Sequence, residues 1–194
     1  MDFEKEYEGR FSTRYEEHIQ NMTRLYEITG NLGDGKAISE TYPQLKQTSA
    51  EDSAYEALLV SLYYAWNEVS ECFIYGQYQA VIVLCRSIAE RCLKLQFIKV
   101  TGGLPAGRML GNLIQQGTGI IDQNILDLAS LLGPPGNDRA HGLLETAEPE
   151  VAIRGGKERG VEVLSPSTYL IFPYRGEAEH AIERAHQILK ATCG

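Results

Sequence analysis

Four polar residues form two pairs whose spacing could bring chemistry to one surface. Arg86 and Glu90 are four residues apart, and so are Asn137 and His141. Residues four apart share a face of an α-helix, so each pair would present its side chains together. An imidazole can transfer a proton, and a guanidinium can stabilise charge that develops on a phosphate. Arg86 and His141 are therefore a candidate catalytic pair for a phosphodiester.

The same residues also have a structural interpretation. Arg86 and Glu90 would form a partly buried ion pair that pins their helix to a second one, Asn137 would cap a short helix, and His141 would donate to a carboxylate or carbonyl. A third interpretation is a non-catalytic ligand or partner site on the same surface. The polar cluster of that site would contain Glu90, Asn137, Asp138 and Arg139. The sequence leaves these three interpretations open.

Neither a metal nor another cofactor is expected. No pair of His or Cys residues has the spacing of a zinc site. The glycine-rich stretch 30–37 looks like a phosphate-binding loop, but Ala37 follows Lys36 where such a loop needs Ser or Thr, and a helix precedes it where a strand is required. The four cysteines are Cys72, Cys85, Cys92 and Cys193. We expect thiols inside apolar helical patterns and no disulfide framework.

The charge balance limits the partners. Twenty-six acidic and eighteen basic residues give a net charge of −8, which disfavours RNA because nucleic-acid binding depends mainly on Lys and Arg. Any RNA contact would need a small local basic pocket. The chain has no run of eighteen apolar residues, and it starts with acidic and polar residues, unlike a signal peptide. We therefore expect a cytoplasmic protein that does not contact a membrane.

The first thirty residues are predicted to form a helix with an aromatic stripe. Its members are Phe3, Tyr7, Phe11, Tyr15, Ile19, Met22 and Tyr26. We expect this stripe to pack on the main bundle, and the alternative is a dimer seam or a docking surface for another protein. A connecting loop is predicted over 30–53, because the stretch is rich in Gly, Ser and Thr and contains Pro43.

The rest of the chain is predicted to complete a single domain, 1–194. Helices are expected over 51–73, 77–100, 109–115, 120–132 and 177–192. The helix over 77–100 is apolar on more than one side, which indicates the central helix of a bundle. An extended pattern between 148 and 175 predicts a small β-hairpin. The domain thus divides into an N-terminal helix and loop (1–50), core helices (51–146), a β insert (147–176) and a C-terminal helix (177–194).

Two motifs together resemble the HEPN superfamily, in its prokaryotic branch of domains of unknown function. Residues 76–90 contain a glycine, an aromatic residue, an apolar run, and an Arg with a Glu four residues later. Residues 136–142 read Gly-Asn-Asp-Arg-Ala-His-Gly. The resemblance implies a mainly α fold, a bundle of four or five helices, assembled as a homodimer with the polar motif near the dimer cleft. The N-terminal helix and the β-hairpin insert before the last helix would be additions.

This sequence departs from the pattern of the active nucleases in that superfamily. They place an Arg four to six residues before the His, but here Asn137, Gly136 and Pro135 occupy those positions. Arg139 lies two residues before His141, about 200° around a helix. We therefore expect a non-catalytic HEPN-like assembly or interaction protein of a prokaryotic defence, toxin–antitoxin or stress system. Its partner would bind the N-terminal aromatic helix or the β insert.

Two alternatives remain from the sequence. One is a metal-independent endoribonuclease with a rearranged centre, in which Arg86 supplies the guanidinium and His141 the imidazole. The other is a small-ligand or nucleotide-binding module.

Overall fold

The computed structural model describes residues 3–45, 53–107, 109–133 and 174–194, with side chains from residue 14 onward. Within these residues the chain forms seven helices, and the prediction of a mainly α fold is confirmed. They are α1 (Phe3–Thr29), α2 (Gly35–Thr41), α3 (Ala54–Ile74), α4 (Tyr78–Thr101), α5 (Leu110–Gly117), α6 (Gln123–Ser130) and α7 (Arg175–Cys193). The predicted β-hairpin falls almost wholly outside the described residues. No helix among those described is long and apolar enough to cross a membrane.

Helix α4 is the centre of the bundle, as its apolar circumference predicts. It packs most extensively against α3 and α7 and also contacts α5 and α6. Ten of its side chains are buried. The helix ends at Gly102, whose φ of 76° lies in the left-handed region and whose N–H donates to the carbonyl of Ile98 at 2.9 Å. Glycine tolerates this conformation without steric cost, which explains the sharp stop.

The predicted connecting loop over 30–53 is partly wrong, because it contains α2. The Asp34 carboxylate accepts hydrogen bonds from the backbone N–H groups of Lys36 and Ala37, at 3.1 and 2.9 Å. This N-cap satisfies donors that the first turn of a helix leaves unpaired. Ile38 and Tyr42, four residues apart, are fully buried and anchor the segment in the core. The N–H groups that would contact a phosphate in a phosphate-binding loop are thus occupied by Asp34.

Local capping also sets the starts of two predicted helices. Helix α3 begins at Ala54 because the Ser53 hydroxyl accepts a hydrogen bond from the Glu56 N–H at 3.1 Å. Helix α6 is shorter than the predicted 120–132. It begins after Asp122, whose carboxylate accepts from the Asn124 N–H at 2.8 Å. In both cases the apolar or acidic residues before the cap continue the helical pattern, so the sequence predicted an earlier start. The cap sets the observed start of the helix.

Helix α1 runs antiparallel to α3 and is anchored by polar residues. The Asn21 amide donates to the carbonyl of Phe73 at 3.0 Å and accepts from the Tyr78 hydroxyl at 3.1 Å. On the other side, Arg24 donates to Glu179 of α7 at 2.9 Å. These contacts fix the rotation of α1 about its own axis.

The expectation that the aromatic stripe packs on the bundle is wrong for Tyr15, Ile19 and Tyr26, while Met22 is half-buried. Tyr15, Ile19 and Tyr26 are 67%, 45% and 60% exposed, whereas Asn21 and Leu25 are fully buried. The Asn21 amide donates to the carbonyls of Phe73 and Ile74 at the end of α3, at 3.0 and 3.3 Å, and Leu25 enters the core from the same side of α1. The side of α1 that carries Asn21 and Leu25 therefore faces the bundle, and the aromatic side is left outside.

Candidate functional site

The structure brings Arg86 and Glu90 together on α4. The Arg86 Nε lies 3.5 Å from the Glu90 Oε1, and the side chains are 15% and 23% exposed. The same carboxylate oxygen accepts a hydrogen bond from the backbone N–H of Leu110 at 3.1 Å. A carboxylate is favourable at the first turn of a helix, where N–H groups lack partners. Glu90 therefore joins α4 to the start of α5.

The remaining residues of the predicted site are Asn137, Asp138, Arg139 and His141. All four lie outside the described residues. The meeting of Arg86 with His141 therefore stays a prediction.

Comparison of the chain with protein-family models, with curated proteins and with solved structures finds no match. The resemblance to the HEPN superfamily thus rests on the two sequence motifs alone. The chemistry of this chain has to be argued from its own contacts.

The exposed residues of α1 form the clearest candidate interaction surface. We call Tyr15, Ile19, Met22 and Tyr26 the α1 stripe; Met22 is half-buried and the other three are exposed. Their spacings of four, three and four residues keep them on one side of the helix, over a length of about 16 Å. Near one end, His18 packs edge-on against Tyr75 of α3, with ring centroids 5.1 Å apart, and Tyr75 is 63% exposed. The aromatic surface of α1 therefore continues onto α3.

Such a surface is suited to binding a macromolecule. Tyrosine offers a large amphipathic contact area at a low entropy cost, which is why it is enriched at protein interfaces. Contiguous exposed apolar patches on a folded domain often mark interaction sites. Because α1 is held by its polar face, the stripe can contact a partner without releasing α1 from the bundle.

A cavity of about 520 Å³ opens where α3 turns into α4. It is lined by Glu68 of α3 and by residues 76–80, Val83 and Leu84. These positions overlap the first of the two sequence motifs. The apolar side chains on α4 would receive an apolar group, and Glu68 gives one wall a negative charge.

A second polar cluster lies where α2 meets α7. The Tyr42 hydroxyl is 2.6 Å from the His186 Nδ1, and the Tyr42 ring packs edge-on against Trp66 at 5.4 Å. Burial raises the pKa of Tyr42 above its ordinary value. Burial, and then the charge of Lys190, lower the pKa of His186. Tyr42 therefore stays protonated, and its hydroxyl donates a hydrogen bond to a neutral imidazole.

The sequence reasoning missed two cationic residues on α4, Arg91 and Lys94. The Arg91 Nη1 atom is buried, and within the described ranges of the chain it has no hydrogen-bond partner. A signal was available, because Ser87, Arg91 and Lys94 follow the spacing i, i+4, i+7 on a helix that is otherwise strongly apolar. The Arg86 and Glu90 pair of the family motif lies on the same helix, and only that pair was predicted to belong to a site.

Proposed function

We propose that this chain is a non-catalytic HEPN-like assembly protein, and that it associates through the α1 stripe with a second copy of itself. The observation that carries the proposal is the exposure of Tyr15, Ile19 and Tyr26 on a helix whose opposite face is pinned to the bundle by Asn21. The resemblance adds the biological setting, a prokaryotic defence, toxin–antitoxin or stress system. The β-hairpin insert lies outside the resemblance and is proposed from the extended sequence pattern between 148 and 175 alone.

The spacing of the stripe favours a second copy as the partner. A two-fold interface must be self-complementary, so that each residue meets its counterpart twice. The 4-3-4 spacing is symmetric about its centre. Two antiparallel α1 helices would place Tyr15 opposite Tyr26 and Ile19 opposite Met22, in both directions at once.

The contacts of Arg86 support the non-catalytic part of the proposal. Arg86 pairs with Glu90, and Glu90 also holds the first turn of α5. A phosphate that recruited Arg86 would have to compete with this carboxylate and would leave it partly buried without its cation, which is costly. The excess of acidic residues further weakens RNA binding.

Sedimentation velocity over a range of protein concentrations tests the association. We expect the wild type to sediment as a dimer and the double variant Tyr15→Ser with Tyr26→Ser as a monomer with an unchanged circular dichroism spectrum. The matched control replaces two exposed apolar residues at the far end of α4 and beyond, Val100→Ser with Leu104→Ser, and should stay dimeric. A monomeric wild type, or a dimeric stripe variant, would refute self-association through this surface.

Incubation with structured RNA tests the absence of catalysis. We expect no cleavage by the purified wild type. Cleavage that disappears in His141→Ala and in Arg86→Gln would replace the proposal with the ribonuclease alternative.

A further inference from the structure

The central helix carries two cations for which the described part of the chain supplies no carboxylate. Arg91 and Lys94 are one turn apart on α4, and neither takes part in the ion pairs found among the described residues. The neighbouring Glu90 is already bound to Arg86 and to the Leu110 N–H. In a chain with eight more acidic than basic residues, two unneutralised cations on a half-buried face are unexpected.

The Arg91 guanidinium is the more informative of the two. Its Nη1 atom is buried and has no hydrogen-bond acceptor among the residues that the structure describes. Folded proteins satisfy nearly all buried donors, and an unsatisfied donor on a charged group is especially unfavourable. A buried donor that the described residues leave without an acceptor is a place where an acceptor from outside those residues can bind. A guanidinium prefers an oxyanion in that position.

The neighbouring residues narrow the oxyanion to a phosphate group. Ser87, Arg91 and Lys94 occupy one row on α4, and all three are partly buried. A hydroxyl, a guanidinium and an ammonium together offer many donors and two positive charges. This combination fits the multiple oxygens and the double charge of a phosphomonoester better than a single carboxylate.

The same row leads to the cavity at the turn between α3 and α4. One and two turns before Ser87, the row contains Leu84 and Ala80, and both line the cavity of about 520 Å³. Glu68 gives the cavity a negatively charged wall that repels an anion, and Arg91 is not among the residues that line the cavity. The phosphate therefore belongs outside the cavity, beside Arg91, about 10 Å farther along the helix than Leu84. The cavity would then hold the uncharged part of the ligand.

We infer that Ser87, Arg91 and Lys94 bind the phosphate group of a small phosphomonoester, and that the cavity beside Ala80 and Leu84 receives the apolar part of the same molecule. The site shares no residue with the α1 stripe. The phosphate site and the proposed self-association can therefore be refuted independently of each other.

Thermal unfolding with defined probes tests the site. Inorganic phosphate and phenyl phosphate, at about 10 mM and at an ionic strength matched with sodium chloride, should raise the Tm in proportion to their binding. We expect the larger rise with phenyl phosphate, because its ring can enter the cavity. Equal Tm values in phosphate, phenyl phosphate and chloride would overturn the inference.

Arg91→Met separates a ligand site from a structural arginine. The substitution keeps an apolar stem and removes the unsatisfied donors, so the unliganded variant should melt at the same temperature as the wild type or higher, and it should lose the response to both phosphate probes. Lys94→Gln should reduce the rise in Tm caused by the phosphate probes several-fold. Lys36→Gln, which removes the same charge at an exposed site, should leave it unchanged. A strongly lowered Tm of unliganded Arg91→Met would show that Arg91 is structural and refute the inference, and an unchanged response would show an adventitious ion only.

A measurement on the wild type does not depend on a folded variant. The Arg91 Nε–Hε resonance should shift on addition of phenyl phosphate, with a dissociation constant equal to that from the thermal titration. A resonance that does not respond while the Tm rises would place the ligand elsewhere and refute the site.

Discussion

At the scale of single residues, the contact between Tyr42 and His186 shows how burial assigns proton positions. The phenol lies fully buried, and burial raises its pKa, so it remains a donor. Burial and Lys190 lower the pKa of His186, so its Nδ1 accepts the hydrogen bond of 2.6 Å. The neutral imidazole must then carry its own proton on Nε2. Protonation of His186 would turn the acceptor into a donor and break this arrangement.

This contact predicts a pH dependence of stability. In the unfolded chain the His186 imidazole has its ordinary pKa near 6.5, and in the folded protein its pKa is lower. At a pH between these two pKa values the folded protein has a neutral imidazole and the unfolded chain a protonated one, so unfolding takes up a proton. The free energy of unfolding should therefore fall as the pH drops through 6.5 and stop falling below the pKa of His186 in the folded protein. Urea unfolding at a series of pH values measures it.

Two variants isolate the contribution of His186. His186→Gln should flatten this part of the pH profile. His180→Gln removes a histidine that is 67% exposed on the same helix and should preserve the slope. A slope that survives in His186→Gln would assign the effect to other groups.

At the scale of elements, the turn between α1 and α2 depends on a close approach to α3. Gly33 has a φ of 78°, and a Cβ atom there would lie 2.3 Å from the Cβ of Ser70. Gly30 has a similar φ of 74°, but a Cβ atom there would meet nothing within 4 Å. Nearby, the buried Asn31 amide accepts a hydrogen bond from the Gly33 N–H at 3.0 Å. Of these two glycines, only Gly33 is pressed against α3.

The two glycines form a matched pair of substitutions. Gly30→Ala should cost about 1 kcal/mol of stability, since it adds only left-handed backbone strain. Gly33→Ala carries the same strain plus a clash with the side chain of Ser70, and should cost about 3 kcal/mol. Chemical denaturation of both variants gives the difference. Equal losses would mean that α2 does not lie against α3 as described.

At the scale of the whole molecule, the bundle closes around α4 and excludes water from most of its thiols. Cys85, Cys92 and Cys193 are fully buried, and Cys72 is partly exposed. Burial raises the pKa of Cys193 to about 11, and it raises the pKa of Cys85 and Cys92 as well. Thiolates are therefore scarce in the folded protein, and reaction at these three sites requires the bundle to open.

Thiol counting reports on this closure. With an aromatic disulfide reagent at about pH 8, the native protein should release one equivalent per chain quickly, from Cys72, and the three buried thiols should react only at the rate of opening. All four cysteines should react at once in concentrated guanidinium chloride. Cys72→Ser should remove the fast phase. A fast phase of more than one equivalent would show that the bundle is open in solution.

The sequence by itself determined the positions of the long helices and the central place of α4. These depend on information that is local in the chain: apolar periodicity, N-cap residues such as Ser53, and stop residues such as Gly102. The ion pair of Arg86 with Glu90 belongs to the same class, because four residues of helix fix its geometry. The HEPN resemblance added an expectation about family and chemistry that these local signals do not reach.

Only the tertiary structure decided which face of each helix is used. The aromatic row of α1 had the stronger apolar pattern, yet the α3 carbonyls that Asn21 satisfies turned that row outward. The partner of His186 is 144 residues away at Tyr42. The isolation of the Arg91 Nη1 atom depends on what packs around it. Burial and pairing between distant residues are properties of the packed bundle, and a local pattern can place a side chain on a helix without saying what that side of the helix will meet.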